Sequence, residues 1–277
     1  RAMRVLLNAL QAGNRSGTVR YTEELARLLP KLGNDPEVTV LWPGDVALPK
    51  DCEESAFIVA PVERGAGRIL HEQFRMGRER RRLDADLVHY PANIGNFTLM
   101  RRTILTIHDL GFLRNPSWST YQRAAYHRIT VHRSAKLARR VIADSQATAK
   151  DVHELLGIPS DRIDVVHLGV DPSFQRADIH AQTKVRGIHK LPPRFFVFVS
   201  TLEPRKNVPR LVDAYSSVAA QCEEDLVIAG RRGWKASPIF DAIGRSPARD
   251  RIHVRDYIEE RDLAPLLSAA TAFVWPS

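Results

Sequence analysis

The chain is 277 residues long, 44% hydrophobic and 26% charged, a balance that suits two globular domains and excludes a fibrous or disordered chain. Its 41 Lys and Arg against 32 Asp and Glu leave +9, which favours anionic partners such as nucleotides, phospholipid headgroups or nucleic acid. No apolar run approaches the roughly 18 residues that a membrane span needs, so a cytoplasmic protein that touches membrane only peripherally is expected.

Short β-rich runs alternate with longer helical patterns. Strands are predicted at residues 4–10, 38–42, 57–60, 87–90, 103–107, 141–143 and 163–167. Between the first two, Tyr21, Leu25, Leu28, Leu29 and Leu32 recur at helical spacing and predict one apolar helix face. Cys52 and the distant Cys222 match no metal or redox spacing, so free thiols are expected.

After His167 the period lapses, and residues 171–194, with Pro172, Pro192 and Pro193, read as a linker between domains 1–170 and 195–277. A second series follows. It comprises a strand at 195–199, a helix facing inward through Val208, Leu211, Val212, Tyr215, Val218 and Ala219, and strands at 226–229 and 252–254. A helix carrying Leu263, Leu266, Leu267 and Ala270 and a strand at 272–275 complete it. The alternation predicts an α/β chain of two Rossmann-like domains with parallel sheets. Ligands of such sheets bind beyond the C-terminal strand ends, here in a cleft across which the domains face each other. The last strand has no helix after it to cover it, so the second domain is expected to be incomplete.

Candidate chemistry gathers at strand ends. The turn Ala12-Gly13-Asn14-Arg15-Ser16-Gly17 opens the first helix and would let backbone N–H groups approach an anion, although without a full Gly-x-Gly-x-x-Gly pattern a plain βα turn fits equally. His108 and Asp109 follow the 103–107 strand directly, where α/β sites are built. The 195–199 strand runs into Ser200-Thr201-Leu202-Glu203-Pro204-Arg205-Lys206-Asn207, with Asn207 a predicted N-cap and Pro209 in the first helical turn. Two cations beside a positive helix end call for an anion, phosphate first; the alternative is that they pair with carboxylates such as Glu203. Gly230-Arg231-Arg232-Gly233-Trp234 closes the next strand at the same edge.

The ordered set Gly17-x-x-Arg20-Tyr21, Ile107-His108-Asp109-Leu110, Ala143-Asp144-Ser145, Val166-His167-Leu168-Gly169-Val170-Asp171, Thr201 to Asn207, Ala229-Gly230-x-x-Gly233-Trp234 and Phe273-Val274-Trp275-Pro276-Ser277 resembles family-four retaining glycosyltransferases of GT-B fold across essentially the whole chain. The resemblance implies transfer of a sugar, GDP-mannose being the first donor to consider, to a lipid-linked or polysaccharide glycan acceptor. It implies that Arg205 and Lys206 hold the donor diphosphate and stabilise the leaving group. Gly17 would bring backbone N–H groups to the same phosphates, His108 would contact the donor sugar near the reacting carbon, and Tyr257 and Ile258 would frame the base. Ser200, Thr201 and Gly230 join the donor side, and Arg20, Tyr21, Asn93 and Asp109 the acceptor side. No metal and no cofactor is implied, because the cations replace the metal.

Two departures from the family pattern stand out. Val19 occupies the place of a usual second glycine and is expected to narrow the approach to the phosphates, and the family's Glu-Gly-Phe-Gly loop and second Glu do not follow Ser277. A sugar epimerase or phosphorylase on the same fold would lack this motif set. A basic module for membrane or nucleic acid is the remaining alternative, since 110–143 holds Arg114, Arg123, Arg128, Arg133, Lys136, Arg139 and Arg140 with Trp118, Tyr121 and Tyr126 and no acidic residue. No nucleic-acid reader motif accompanies it, whereas an anionic lipid surface suits both this stretch and the basic run 68–82.

Overall fold

The computed structural model describes residues 1–13, 17–33, 35–61, 65–115 and 121–277. Two compact units, Arg1–Leu168 and Gly169–Ser277, divide it. In the first, strands β1 (Arg4–Asn8), β2 (Glu37–Pro43), β3 (Phe57–Ala60), β4 (Leu87–Tyr90), β5 (Thr103–Ile107), β6 (Arg140–Ala143) and β7 (Ile163–Val165) form a parallel sheet in the order β3-β2-β1-β4-β5-β6-β7. In the second, β8 (Phe195–Val199), β9 (Asp225–Ala229), β10 (Ile252–Arg255) and β11 (Ala272–Phe273) pair in parallel in the order β10-β9-β8-β11.

Helices α1 (Gly17–Leu28), α2 (Ala66–Leu70), α3 (Met76–Arg82), α4 (Gly111–Arg114), α5 (Tyr121–Leu137) and α6 (Gln146–Leu156) connect the first sheet. The second carries α7 (Ile179–His189), α8 (Val208–Val218), α9 (Ser237–Arg245) and α10 (Glu260–Ala269). Successive strand residues face opposite layers. Leu6 packs with Val88, Leu105, Val131 and Val152 on one side, and Leu7 with Val40, Trp42 and Ala26 on the other. Phe198 and Ile228 pack with Val208, Val212 and Ile239, while Val197 and Val227 meet Val185 and Leu266. Parallel strands covered on both faces read as continuous apolar runs, which is why the inner strands were legible; β11, exposed at both residues, was legible from its short apolar run alone.

Three expectations need correction. The stretch 171–194 contains α7, which is capped by the Asp178 side chain accepting the Ala181 N–H and belongs to the second unit. Val185 is its only buried residue, so no apolar period betrays it. The first helix stops at Leu28, and Leu29–Leu32 form a 3-10 turn around Pro30, since proline cannot supply a helical N–H. The helical register is lost there, and Leu28 and Leu32 are exposed while Val19, Thr22 and Ala26 are buried. The last strand spans two residues rather than four, with the Val274 N–H still donating to the Val197 carbonyl at 2.8 Å.

Candidate active site

Each sheet reverses its direction of growth once, and ligands of α/β sheets bind beyond the strand ends at such points. In the first sheet the reversal lies between β1 and β4. A cavity of about 420 Å³ opens there, lined among others by Asn8, Arg68, Glu72, Tyr90, Asn93 and Tyr126. Asn8 Nδ2 donates to Glu72 Oε1 at 2.9 Å, and Arg68 lies 3.5 Å from the same carboxylate. Burial pushes the Glu72 carboxyl up, against the pull of Arg68 and Asn8. Glu72 rides on His71–Arg75, a single π-helical turn between α2 and α3; such turns are rare and recur at functional sites. An amide, a carboxyl and a guanidinium around a cavity of this size suit a small hydroxylated ligand.

Beside the cavity, the ends of β5 and β6 hold His108 between two acceptors. Its Nε2 donates to the Pro91 carbonyl at 2.9 Å, and its Nδ1 faces Asp144 Oδ2 at 3.2 Å. Tyr21 meets the ring edge-on at 4.9 Å, with its hydroxyl 3.4 Å from Thr106 Oγ1. Burial raises the Tyr21 phenol and lowers the neighbouring His89 imidazole to about 4, the latter helped by His108; His89 is therefore neutral near pH 7, and its Nε2 lies 2.9 Å from Thr106 Oγ1. Asn93 ties two strand ends together, accepting the His108 N–H at 3.0 Å and donating to the Asp109 carbonyl at 3.4 Å. Asp109 is exposed and accepts the Gly111 N–H. The structure thus joins Tyr21, Asn93, His108 and Asp109 and adds Asp144. That partner lies 36 residues from His108, yet β5 and β6 are neighbours, and the Ala143-Asp144 strand end was the signal for it.

Gly17 is the first residue of α1, and a Cβ built on it would meet nothing within 4 Å. Asn14, Arg15 and Ser16, and likewise Trp118, lie outside the described residues. Val19 is 4% exposed; its side chain faces the core, so it does not narrow the approach to the helix end as expected. Arg20 is half-buried on the same helix.

In the second sheet the reversal lies between β8 and β11, and Arg205 and Lys206 sit there on a 3-10 turn, Pro204–Lys206, immediately before α8. Asn207 adopts a left-handed conformation (φ 53°), makes no side-chain cap, and donates through Nδ2 to the Pro276 carbonyl at 3.4 Å. Asn207 therefore stands at the predicted N-cap position without capping through its side chain: a capping residue needs extended backbone to aim its oxygen at the helix. The positive end of an 11-residue helix is left without a side-chain acceptor, the arrangement that receives anions. Arg205 Nε lies 3.2 Å from Glu203 Oε1, so the anticipated carboxylate pairing exists for Arg205. Lys206 instead rests its ammonium 4.3 Å over the Trp275 ring, which stacks on Phe198.

The matches to protein families decide what this arrangement belongs to. The model for Glycosyltransferase Family 4 covers residues 15–174, and that for glycosyl transferases group 1 covers 193–277. The chain belongs to glycosyltransferase family 4. Among relatives, O-antigen chain mannosyltransferase B of Escherichia coli is 25% identical over 217 residues, 76% of this chain; the chain spans 57% of that protein's length. HepE of Anabaena, solved in complex with UDP-glucose, superposes with a TM-score of 0.67 at 18% identity, covering 99% of this chain and 74% of its own. A UDP-N-acetylglucosamine 2-epimerase from Rickettsia bellii also shares the fold, with a TM-score of 0.52 at 10% identity. The fold is GT-B, and the fold alone does not separate transfer from epimerisation.

Within this family 4 chain, Gly230 and Gly233 prove to be packing positions. A Cβ on Gly230 would lie 1.8 Å from the Ser200 carbonyl oxygen, and one on Gly233 2.7 Å from that of Leu202. The N–H groups of Gly230 and Ser200 donate to Arg255 and Ala229 carbonyls, so neither is offered to a phosphate. These contacts clamp the 230–233 loop to the 200–202 segment and set the stem of the Arg205-Lys206 turn. Thr201 is exposed at that stem. Tyr257 is exposed with the Arg231 guanidinium 4.5 Å over its ring, and Ile258 is buried against the sheet. Trp275, the seat of Lys206, and Arg231 were, like Asn8, Glu72 and Asp144, residues that sequence reasoning left without a role.

Proposed function

We propose that this chain carries the active site of a retaining hexosyltransferase that moves a sugar, mannose first, from a nucleoside diphosphate to a growing polysaccharide or lipid-linked glycan. The observation that carries the reading is the Arg205-Lys206 turn at an uncapped helix start beyond β8. A diphosphate there gains two charge-assisted contacts and the helix end together. As the bond between the anomeric carbon and the diphosphate oxygen breaks, charge grows on that oxygen, and both cations act more strongly on the transition state than on the bound donor. No metal is needed in this scheme. His108, with both ring nitrogens committed, is a fixed group beside the reacting sugar rather than an acid or base.

The Asn8-Glu72-Asn93 cavity is the acceptor side of this reading, its polar groups orienting hydroxyls for attack. The relative's name favours mannose as the sugar, and GDP-mannose is the donor taken first. A thermal-shift panel of GDP-mannose, GDP, UDP-glucose and ADP-glucose tests it: a ligand at 100 times its Kd adds about 2.7 kcal/mol of stability. GDP-mannose and GDP are expected to stabilise most. Mass spectrometry of products is expected to show a hexose joined to an acceptor, whereas an epimerised free nucleotide-sugar overturns the transfer reading.

The reading includes work at the inner membrane face, where a lipid-linked acceptor would reside. Ile69, Leu70 and Phe74 are exposed, Phe74 at 76%, among the exposed Arg75, Arg78 and Arg82, the composition of an interfacial helix. Arg128, Ile129, Arg133 and Lys136 are exposed along α5. No helix among the described residues is long and apolar enough to cross a membrane. Cosedimentation with phosphatidylglycerol vesicles is expected to exceed that with neutral ones, to weaken with salt, and to fall about threefold or more in Phe74→Ser. Equal binding to both vesicle types removes the membrane from the proposal.

A further inference from the structure

The end of the first sheet opposite the candidate site carries a feature that sugar transfer does not use. The residues just before β1, β2, β4, β5 and β6 meet around an open groove of about 1160 Å³, lined by six arginines and two aspartates. Arg80 and Arg81 come from α3, Arg101 and Arg102 from the turn that precedes β5, and Arg139 from the residue before β6. The aspartates are already engaged: Asp86 accepts the Arg4 N–H at 3.0 Å and pairs with Arg1, and Asp35 accepts the Met3 N–H at 3.2 Å. Among the described residues no carboxylate lies within ion-pair distance of Arg81, Arg101, Arg102 or Arg139.

Arg80 is the innermost of the set. One Nη donates to the Ala85 carbonyl at 2.7 Å, but its Nε is sealed from solvent without a partner. Burial pulls its guanidinium down from its ordinary value, and Arg102 and Arg81 add to the effect while Asp84 and Asp86 only partly oppose it. Like charges crowding a half-buried cation raise the free energy of the groove as it stands, and a multiply charged anion lowers it by meeting several guanidinium forks at once.

We propose that this groove is a binding site for a phosphate-bearing anion, separate from the donor site. Strands of four or five residues at roughly 3.3 Å per residue put about 13–17 Å between it and the opposite sheet edge. A ligand in the groove therefore does not take part in the reaction at that edge. The phosphate can belong to a lipid headgroup or to a free phosphorylated solute; the chemistry that recognises it is shared, and the two are separated by experiment.

The probes are inorganic pyrophosphate and phosphatidylglycerol vesicles, and the background is the Arg205→Ala/Lys206→Ala double variant, which removes the other diphosphate candidate site. In that background millimolar pyrophosphate is expected to raise Tm by at least about 3 °C over NaCl of matched ionic strength, and R101Q/R102Q is expected to abolish the rise. Both arginines are exposed, so this variant should fold; Arg139→Gln gives an independent partial loss. No pyrophosphate shift, together with an about tenfold loss of vesicle binding in R101Q/R102Q, assigns the phosphate to a headgroup. A shift that NaCl reproduces or that survives R101Q/R102Q, with vesicle binding also unchanged, overturns the site. None of these readouts depends on sugar transfer, so the inference stands or falls apart from the proposed function.

Discussion

Replacing Arg205 or Lys206 with alanine is expected to lower kcat/KM at least about tenfold each, through kcat as well as donor affinity. A charge-assisted hydrogen bond contributes roughly 1.5–3 kcal/mol, and about 1.4 kcal/mol is tenfold. The local contacts that compete with the donor include two that are weak. The Arg205–Glu203 pair is partly exposed, at 40% and 20% of the side chains, and such pairs contribute about 0–1 kcal/mol. The Lys206–Trp275 contact is a cation–π seat of roughly 0.5–1 kcal/mol. A diphosphate that brings several charged oxygens to an uncapped helix end outbids either.

Arg210 is exposed in the first turn of α8, farther along the chain than the Arg205-Lys206 turn, and Arg210→Ala, which keeps the backbone N–H groups of that turn, is expected to change kcat/KM less than about twofold. Steady-state kinetics with the donor chosen by the thermal-shift panel, alongside unfolding curves, decides the matter. Near-normal turnover in folded Arg205→Ala and Lys206→Ala proteins would reduce both residues to a surface ion pair and a ring contact.

What could be read from the residues follows from where the free energy of folding lies. Strands such as Phe195–Val199 are covered on both faces, so burial writes itself into the chain as a run of apolar residues and the inner strands were visible. Helix α7 buries Val185 alone and left no period to read. The Arg205-Lys206 placement was legible because strand, turn and helix follow one another in the chain, whereas the backbone turn at Asn207 was not: asparagine serves both as an N-cap and as a left-handed residue. Contacts that depend on strand order, such as His108 with Asp144 or Arg80 with Arg102, could be found only once β4, β5 and β6 were known to be neighbours. Gly17 and Gly230, both expected on the donor side, looked alike in the chain and differ in space.

That difference predicts a large loss of stability from a single methyl group. In Gly230→Ala the new Cβ would stand 1.8 Å from the Ser200 carbonyl oxygen and 2.6 Å from its carbon, at a φ of 144° that L side chains rarely adopt. Neither backbone can yield cheaply. The Gly230 N–H is bonded to the Arg255 carbonyl at 3.1 Å and the Ser200 N–H to the Ala229 carbonyl at 3.0 Å, so moving either segment breaks bonds that extend the β8-β9-β10 ladder. Strained backbone and overpacking each cost about 1–3 kcal/mol, and together they are expected to remove at least about 3 kcal/mol and to lower Tm by about 10 °C or more in a unit of this size. Because Ser200 leads into the Arg205-Lys206 turn, any folded fraction should also bind donor poorly. Gly17→Ala is the counterpart: with open space around its Cβ it is expected to leave stability within about 1 kcal/mol, so that a fall in donor affinity there would report backbone contact with phosphate. A Gly230→Ala protein that melts within about 2 °C of the parent would mean that the 200–202 and 230–233 segments do not hold each other as described, and that the cation turn is positioned by something other than this clamp.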